Sequence, residues 1–538
     1  MAVPLLGPAE VRAALLSPGE VALVDVREQH PFAGGHILLA VHVALSRLEL
    51  DLPRLVPCRK ARLILCDGGE GLAHRAADVA AVLGYTDIAI LDGGTPAWQA
   101  TGYRLFTGLN ATGAALAETV DLVCRPPQME ATELARRRAS GEAMVVLDSR
   151  PWEGYLDHHV PGAIACPGGE LVYRIPTLVP HPDTTVVVNC AGRSRSIFGA
   201  QSLINAGLAN PVYALAQGTH GWALAGLELA HGEGPRADGT PGGKADWQLR
   251  EASMTLARAC GVRIIDGETL RDWCRERDEH TLYLLDVRSP EEYAAGHVPG
   301  ALCAPGGQLV ECADDWIGVR GGRLVLLDDD GVRAPMAASW MRQLGYPIVA
   351  VLADPADTDG ASATPCRTIP PMRAVAVLGA GAVQPGDVLL DLSPGTSFMR
   401  CHVQGALWAL RARLGDVLDE LPVGRLVVMD DAGGILASRA VTELHAAGRS
   451  EACCLPGGLE ALRAAGHVLA SGSEGMLHAM DDCHFLPADM VEDRMAEAAD
   501  YLAWQADLVR QVAEDGLLAF APYRPPAVAR QSDPATIA

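Results

Sequence analysis

Four tandem α/β domains, each built on a small parallel sheet and closed by a C-terminal helical tail, are expected from three features of this 538-residue chain. First, an apolar run ending in aspartate occurs four times: Leu23-Val24-Asp25, Val146-Leu147-Asp148, Leu284-Leu285-Asp286 and Leu389-Leu390-Asp391. Second, each aspartate is followed eleven residues later by a histidine (His36, His159, His297, His402), and four residues further by an alanine (Ala40, Ala163, Ala301, Ala406). Four identical spacings mark an internal repeat. Third, each copy continues with a second apolar strand, a loop and a helix that stops at glycine, over residues 62–84, 185–207, 323–345 and 425–448. Strands alternating with helices give a parallel sheet covered on both faces, with a ligand loop at the carboxyl end of a central strand.

Taken in order, domain one spans residues 1–122, with the polar stretch 110–127 as its exit linker. Domain two spans 123–240 and leaves through 232–243, whose glycines and prolines are the clearest linker signal in the chain. Domain three spans 241–364, followed by an Asp/Ala/Thr/Pro stretch to Pro371. Domain four spans 365–472, and its adjacent Cys453 and Cys454 read as strand residues. Residues 473–538 form the tail, with an amphipathic pattern over 491–512 worth one or two helices and a Pro-rich, frayed end. In three copies a third strand runs into a Gly-rich turn, at Gly93-Gly94 before Trp98, at Gln217-Gly218 before Trp222, and at Gly457-Gly458.

A net charge of −23 argues against nucleic acid or an anionic membrane surface as the main partner. No run approaches the ~20 apolar residues that span a bilayer, and the amino terminus lacks the charged and apolar regions of a signal peptide, so a cytoplasmic location is expected. The fourteen cysteines show no C-x-x-C pairs or regular spacing, which fits reduced thiols better than a disulfide framework or a zinc site. Neither a metal nor a cofactor is expected.

The chemically pointed stretch is Val186-Val187-Val188-Asn189-Cys190-Ala191-Gly192-Arg193-Ser194-Arg195-Ser196. A β-branched run reads as a buried strand, and the residues after it carry helical spacing. Cys190 therefore sits on a tight strand-to-helix turn, facing unpaired N–H groups and the positive end of a helix dipole. With Arg193 and Arg195 in the same loop, it is expected to titrate below the ordinary value of about 8.5 and to be largely thiolate at neutral pH. The repeat histidines read as structural turn residues, because copies without a cysteine keep them.

The D-x-R pattern of Asp25/Arg27, Asp148/Arg150 and Asp286/Arg288, the histidine and alanine spacing, and the C-x-x-x-x-R-S loop together resemble the rhodanese (sulfurtransferase) domain family, over nearly the whole chain. The resemblance implies that Cys190 attacks the outer sulfur of an anionic donor such as thiosulfate, a mercapto-acid or a persulfide, and itself becomes a persulfide. A thiol, cyanide or protein acceptor then removes that sulfur, in two covalent half-reactions. Arg195 takes the catalytic position of the loop arginine. Ala191, Gly192, Arg193, Ser194 and Ser196 form the substrate-binding loop, the arginines orienting the anion by charge-assisted hydrogen bonds. Ser194 and Ser196 either donate to the sulfur or cap the helix. Asp148 and Arg150 brace the loop from the neighbouring strand, while Arg174 reads as part of a solvated face. Nothing here calls for a nucleic-acid or membrane partner, and a homodimer is compatible with the reading.

Counting back seventeen residues from the helix-ending glycine gives Cys190 from Gly207, but Asp67, Asp328 and Asp431 from Gly84, Gly345 and Gly448. Domains one, three and four are thus expected to be inactive, their aspartates capping the following helix. Cys66 lies one residue from that position, and a one-residue gap would make it a loop cysteine. His158 replaces the glycine that domains one and three have at Gly35 and Gly296. Two rival readings remain. Cysteine phosphatases and arsenate reductases use the same strand, loop and helix, but with arginine six residues after the cysteine, where Arg195 is five after Cys190. A rhodanese-like binding or regulatory scaffold with vestigial catalysis is favoured by the three aspartate loops and opposed by the Cys190 loop.

Overall fold

The computed structural model describes residues 3–179, 181–237, 247–363, 375–484 and 494–525. The linker expected at 232–243, the one reaching Pro371, the start of the tail's amphipathic pattern and the Pro-rich end fall partly or wholly outside the described residues.

Four parallel sheets share one plan. In domain two the strands lie in the order Gln128–Met129, Val212–Leu215, Thr185–Asn189, Met144–Asp148, Ile164–Ala165. Domains one and three repeat that order, and domain four has four strands, Leu407–Trp408, Val388–Asp391, Leu426–Met429 and Cys453–Cys454. One central strand of each sheet, Val21–Asp25, Thr185–Asn189, Leu282–Asp286 and Leu426–Met429, is buried from end to end, as its apolar run requires in a sheet covered on both faces. The repeat aspartate ends one strand and fixes the register of its neighbour: Asp25 pairs with Cys66, Asp148 with Asn189, Asp286 with Leu327 and Asp391 with Met429.

These pairs settle which residue follows each central strand. Asp67 and Asp328 stand where Cys190 does, as counted from the glycines, but in domain four the residue is Asp430 and not Asp431. The reason is loop length: domain four keeps the twelve-residue helix of domain two, Ile435–Ala446 against Ser194–Asn205, with one more residue in the loop before it. Cys66 occupies the place of Asn189, the last residue of the strand, and is fully buried.

The repeat histidines share one environment. His36, His159, His297 and His402 stack on the aromatic ring four residues earlier, with centroids 4.1, 3.9, 3.8 and 3.9 Å apart. Each also places Nδ1 within 2.8–3.2 Å of that residue's carbonyl oxygen. Where the aromatic is tyrosine, its hydroxyl donates to the repeat alanine, from Tyr155 to Ala163 O at 2.7 Å and from Tyr293 to Ala301 O at 2.8 Å. The histidine-alanine spacing thus records a self-contained turn.

The chain divides into two compact units, 1–109 with 365–485 and 110–364 with 486–538. The stretch read as a linker at 110–127 is instead the helix Ala111–Cys124, with Ala115, Leu116, Ala117 and Val120 buried. Its alanine-rich sequence favours a helix, and one face is apolar enough to bury. Residues 473–484, expected in the tail, run along domain four instead: Leu477 N–H donates to Trp408 O at 2.9 Å and Gly395 N–H to Asp482 Oδ2 at 2.7 Å. The rest of the tail's described portion is the helix Arg494–Asp515, which buries Leu508 and Val512 in the second unit, and the non-helical residues 516–525, which bury Leu517 and Leu518.

Within the second unit, domains two and three meet backbone to backbone. A Cβ on Gly169 would lie 2.7 Å from Gly307 N, and one on Gly307 2.8 Å from Gly169 N, so the contact requires glycine on both sides. Around it, buried Arg333 of domain three pairs with Glu170 of domain two at 2.9 Å and with Asp330 at 2.6 Å. Trp340 Nε1 donates to Ser202 Oγ at 2.9 Å. In the first unit the same stretch of domain four carries Arg411, which donates to Ser46 O and Leu45 O of domain one and pairs with Glu49 at 2.7 Å.

Gly169→Ala is expected to destabilise the second unit by about 1–3 kcal/mol, because an overpacked methyl forces the backbones apart. Gly34→Ala, in the helix Gln29–Gly34 with nothing within 4 Å of the new methyl, is expected to be neutral or to stabilise by up to about 1 kcal/mol. Urea unfolding of the two variants beside the wild type checks both.

Candidate active site

The strand Thr185–Asn189 ends at a fully buried asparagine, and Cys190 begins the turn into the helix Ser194–Asn205. Asn189 is held from the neighbouring strand: its Nδ2 donates to Asp148 Oδ2 at 2.8 Å, and its carbonyl accepts from Ser149 N at 2.8 Å and Ser149 Oγ at 2.7 Å. Asp148 is in turn paired with Arg150 through Oδ1 at 2.9 Å and Oδ2 at 2.8 Å. Both are buried, so they support the loop from behind.

Arg150 also donates to the carbonyl oxygen of His158, as Arg27 and Arg288 do to Gly35 and Gly296, each at 2.7 Å. The backbone there is extended, with φ of −164° at His158, 169° at Gly35 and 165° at Gly296, so a histidine costs no strain. Its ring spans Asp157, at 2.6 Å from Nδ1, and Thr219 Oγ1, at 3.1 Å from Nε2.

The far side of the loop is fixed by the third strand's turn. Gln217 and Gly218 are both left-handed, with φ of 57° and 54°, and this lets Gly218 lie against the carbonyl of Cys190, where a Cβ would collide. Thr219 N–H donates to Cys190 O at 2.8 Å and His220 N–H to Ala191 O at 3.0 Å. With both carbonyls turned outward, the helix start directs N–H groups inward. The Ser196 backbone favours the thiolate form of Cys190.

The corresponding N–H, six residues after the loop's first position, serves a carboxylate in other domains. Ala73 N–H donates to Asp67 Oδ2 at 2.9 Å, Ala334 N–H to Asp328 Oδ2 at 2.9 Å, and Ala437 N–H, one further because of the longer loop, to Asp430 Oδ2 at 2.7 Å.

Electrostatics depart from the expectation of a ready thiolate. Cys190 is 2% exposed. Burial pushes its thiol above the ordinary value, against the Ser196 hydrogen bonds and the Arg195 charge, and the Glu311 carboxylate adds to the rise. Neither loop arginine is available as a bare cation. Arg193 pairs with Glu118 at 2.8 Å and Asp121 at 2.8 Å, both on the helix Ala111–Cys124, and Arg195 pairs with Glu311 of domain three. Ser196 Oγ donates to Arg193 O at 2.8 Å and lies 3.5 Å from Cys190 Sγ, from which it accepts. Ser194 does neither job expected of it: its Oγ accepts from Gln505 Nε2 of the tail helix at 2.9 Å, and no side chain caps this helix. Arg174, read as solvated, is buried and paired with Glu170 at 2.7 Å. Ala191 and Gly192 complete the turn.

Sequence reasoning missed Glu118, Asp121, Glu311 and Gln505. The alanine run preceding Glu118 was a helix signal that the linker reading passed over. Glu311 and Gln505 lie over a hundred residues from the loop with no local pattern tying them to it. Beside Arg195 a cavity of about 40 Å³ opens between domains two and three, lined by Ser149, Phe198, Val310 and Trp340 among others. It has room for about three waters. Cys66, in the place of Asn189, is held well above its ordinary value by burial and by Asp25. Among the described residues no group of His, Cys, Asp or Glu is arranged to hold a metal ion, every cysteine is free, and no helix is long and apolar enough to cross a membrane.

The raised Cys190 thiol predicts a specific pH profile. Alkylation of Cys190 by neutral iodoacetamide should climb by about one log unit per pH unit from pH 7 upward, with no plateau before the ordinary thiol range is passed. Site-resolved mass spectrometry of the alkylated protein gives the profile.

Comparison with known proteins accords with this architecture. The rhodanese-like domain matches residues 8–101, 130–225 and 268–354, within domains one to three. The crystal structure of a thiosulfate sulfurtransferase from Pseudomonas aeruginosa superimposes with a TM-score of 0.91 at 39% identity, covering 96% of this chain and 99% of that one. An HTH-type transcriptional regulator of Mycobacterium tuberculosis is 37% identical over 100 residues, which are 19% of this chain. The match spans 43% of that relative's length.

Proposed function

The chain belongs to the rhodanese-like family, and from that premise we propose that it is a sulfurtransferase working through Cys190. The observation that carries the reading is the loop itself: one buried cysteine stands at the helix start where an aspartate accepts a backbone N–H in each of the other three domains, and the Ser196 backbone there favours its thiolate. In the first half-reaction the Cys190 thiolate attacks the sulfane sulfur of a donor such as thiosulfate, mercaptopyruvate or a persulfide. A sulfur–sulfur bond forms on Cys190, and the donor's own bond to that sulfur breaks, its electron pair leaving with sulfite, pyruvate enolate or thiolate. In the second, a thiol, cyanide or protein nucleophile attacks the outer sulfur and the Cys190 thiolate leaves. Loop N–H groups stabilise both the thiolate and the persulfide anion, and Arg195 meets the donor's charge once Glu311 yields it. The protein works without cofactor, in the cytoplasm.

The short loop weighs against phosphatase or arsenate reductase chemistry, since six residues from Cys190 through Arg195 enclose too small a volume for a tetrahedral oxyanion in line with the sulfur. Aspartates cannot accept a sulfane sulfur, so domains one, three and four do not share the chemistry of domain two.

Exposure to thiosulfate, mercaptopyruvate or a low-molecular-weight persulfide should add one sulfur atom per chain, located on Cys190 by mass spectrometry. Cys190→Ser should abolish the addition and turnover while leaving the fold intact, and Cys66→Ser should change neither. Arg195→Ala should lower kcat/KM by roughly ten- to hundredfold, the worth of about 1.5–3 kcal/mol for a hydrogen bond to a charged group. Sulfur retained by the Cys190 variant, or efficient aryl phosphate hydrolysis by the wild type, would overturn the reading.

A further inference from the structure

We propose that Glu311 is a specificity-determining residue of the Cys190 site: by occupying Arg195 it turns the site against dianionic donors such as thiosulfate and toward donors whose transferable sulfur is uncharged, of the hydropersulfide class. The donor preference rests on the sulfurtransferase reading, whereas the charge effect on Cys190 does not.

Glu311 is not a wandering surface carboxylate. It ends the helix Gly306–Glu311, which begins at the glycine contact between domains two and three. On its other side Gly113 packs so tightly that a Cβ would collide with the Glu311 carbonyl oxygen, and Thr112 Oγ1 donates to Asp314 Oδ2 at 3.3 Å. Backbone fits on two sides therefore deliver the carboxylate to Arg195, where its side chain is 15% exposed. Its neighbour Val310 lines the cavity that reaches Arg195.

The charges around the loop do not favour a dianion. Arg193 and Arg195 face three carboxylates, those of Glu118, Asp121 and Glu311, and Arg150 is matched by Asp148. Thiosulfate would bring two more negative charges to a site holding a thiolate, and like charges brought together there are strongly unfavourable. A hydropersulfide avoids this. The Cys190 thiolate attacks its outer sulfur, the S–S bond breaks with its electron pair going to the leaving thiolate, and that thiolate takes up a proton from solvent.

Two alkylating probes that differ by one charge test the inference. The rates of Cys190 alkylation by iodoacetate and by neutral iodoacetamide are measured for the wild type, Glu311→Gln and Glu311→Met, each checked for native circular dichroism and melting. The iodoacetate-to-iodoacetamide ratio is expected to rise by about tenfold in either variant, the scale of one unit charge removed at close range and partly screened. In parallel, the ratio of kcat/KM for thiosulfate to kcat/KM for a hydropersulfide should rise by about tenfold in the same variants, whatever common gain the thiolate brings to both donors. An unchanged probe ratio in a folded variant would reduce Glu311 to a domain brace and overturn the proposal. A changed ratio with no sulfur accepted from either donor would leave the charge role standing and remove the sulfurtransferase reading. Should neither variant fold, the wild-type ratio decides: about tenfold below that of free cysteine supports the proposal, and a ratio equal to or above it rejects it.

Discussion

The backbone contact of Gly168 and Gly169 with Gly306 and Gly307 governs the arrangement of the second unit. Because neither side carries a Cβ, the two segments approach to a distance that side chains would forbid. That approach brings Arg333 within reach of Glu170, seats Trp340 on Ser202 and carries Glu311 to Arg195. The corresponding stretch in the first unit begins at the same offset from the repeat alanine but uses a long side chain, Arg411, to satisfy the carbonyls of Leu45 and Ser46. One repeat therefore supports two kinds of domain contact, a close one through glycine and a bridged one through arginine. Cys190 sits in the unit with the close one.

Closeness has an electrostatic consequence. A thiol sealed between two domains loses solvation, and each unit of upward pKa shift is worth about 1.4 kcal/mol against the thiolate. The loop opposes this with the Ser196 backbone, the Ser196 hydroxyl and Arg195, yet burial outweighs them and Glu311 weakens the arginine. What the structure holds is a buried thiol whose neighbouring counter-charges are already engaged. Reactivity then depends on what displaces those partners.

Most of the fold was legible because its signals are local. The strand ending in aspartate, the histidine four residues after an aromatic ring and the alanine that receives a tyrosine hydroxyl all lie within sixteen residues, so their spacing survives in sequence. The Cys190 turn was legible for the same reason. What escaped depends on distance or on counting. Glu311 and Gln505 reach the loop from other domains, and no periodicity reports such a meeting. Asp431 was chosen over Asp430 because counting back from Gly448 assumes a constant loop, whereas domain four lengthens the loop without shortening the helix. The helix Ala111–Cys124 was taken for a linker because its polar edge, including Glu118 and Asp121, faces the arginine of a loop some seventy residues away.

The three aspartate loops also bear on the chemistry of the cysteine loop. Asp67 accepts N–H groups from Gly69 and Ala73, and Asp430 accepts three, from Ala432, Gly434 and Ala437. Asp328 takes the N–H of Ala334, and there burial and the neighbouring Asp330 push its carboxyl upward. In each case the turn has been filled by an oxygen anion or its conjugate acid, tethered by a side chain of the same short reach as cysteine. A turn that recurrently holds a carboxyl group is one whose backbone dipoles converge on negative charge. Domain two keeps the convergence and replaces the permanent occupant with a sulfur that must lose a proton to match it. The stabilisation that aspartate uses in the resting fold is thus left, in domain two, for a thiolate, which is the state that the proposed sulfur transfer requires.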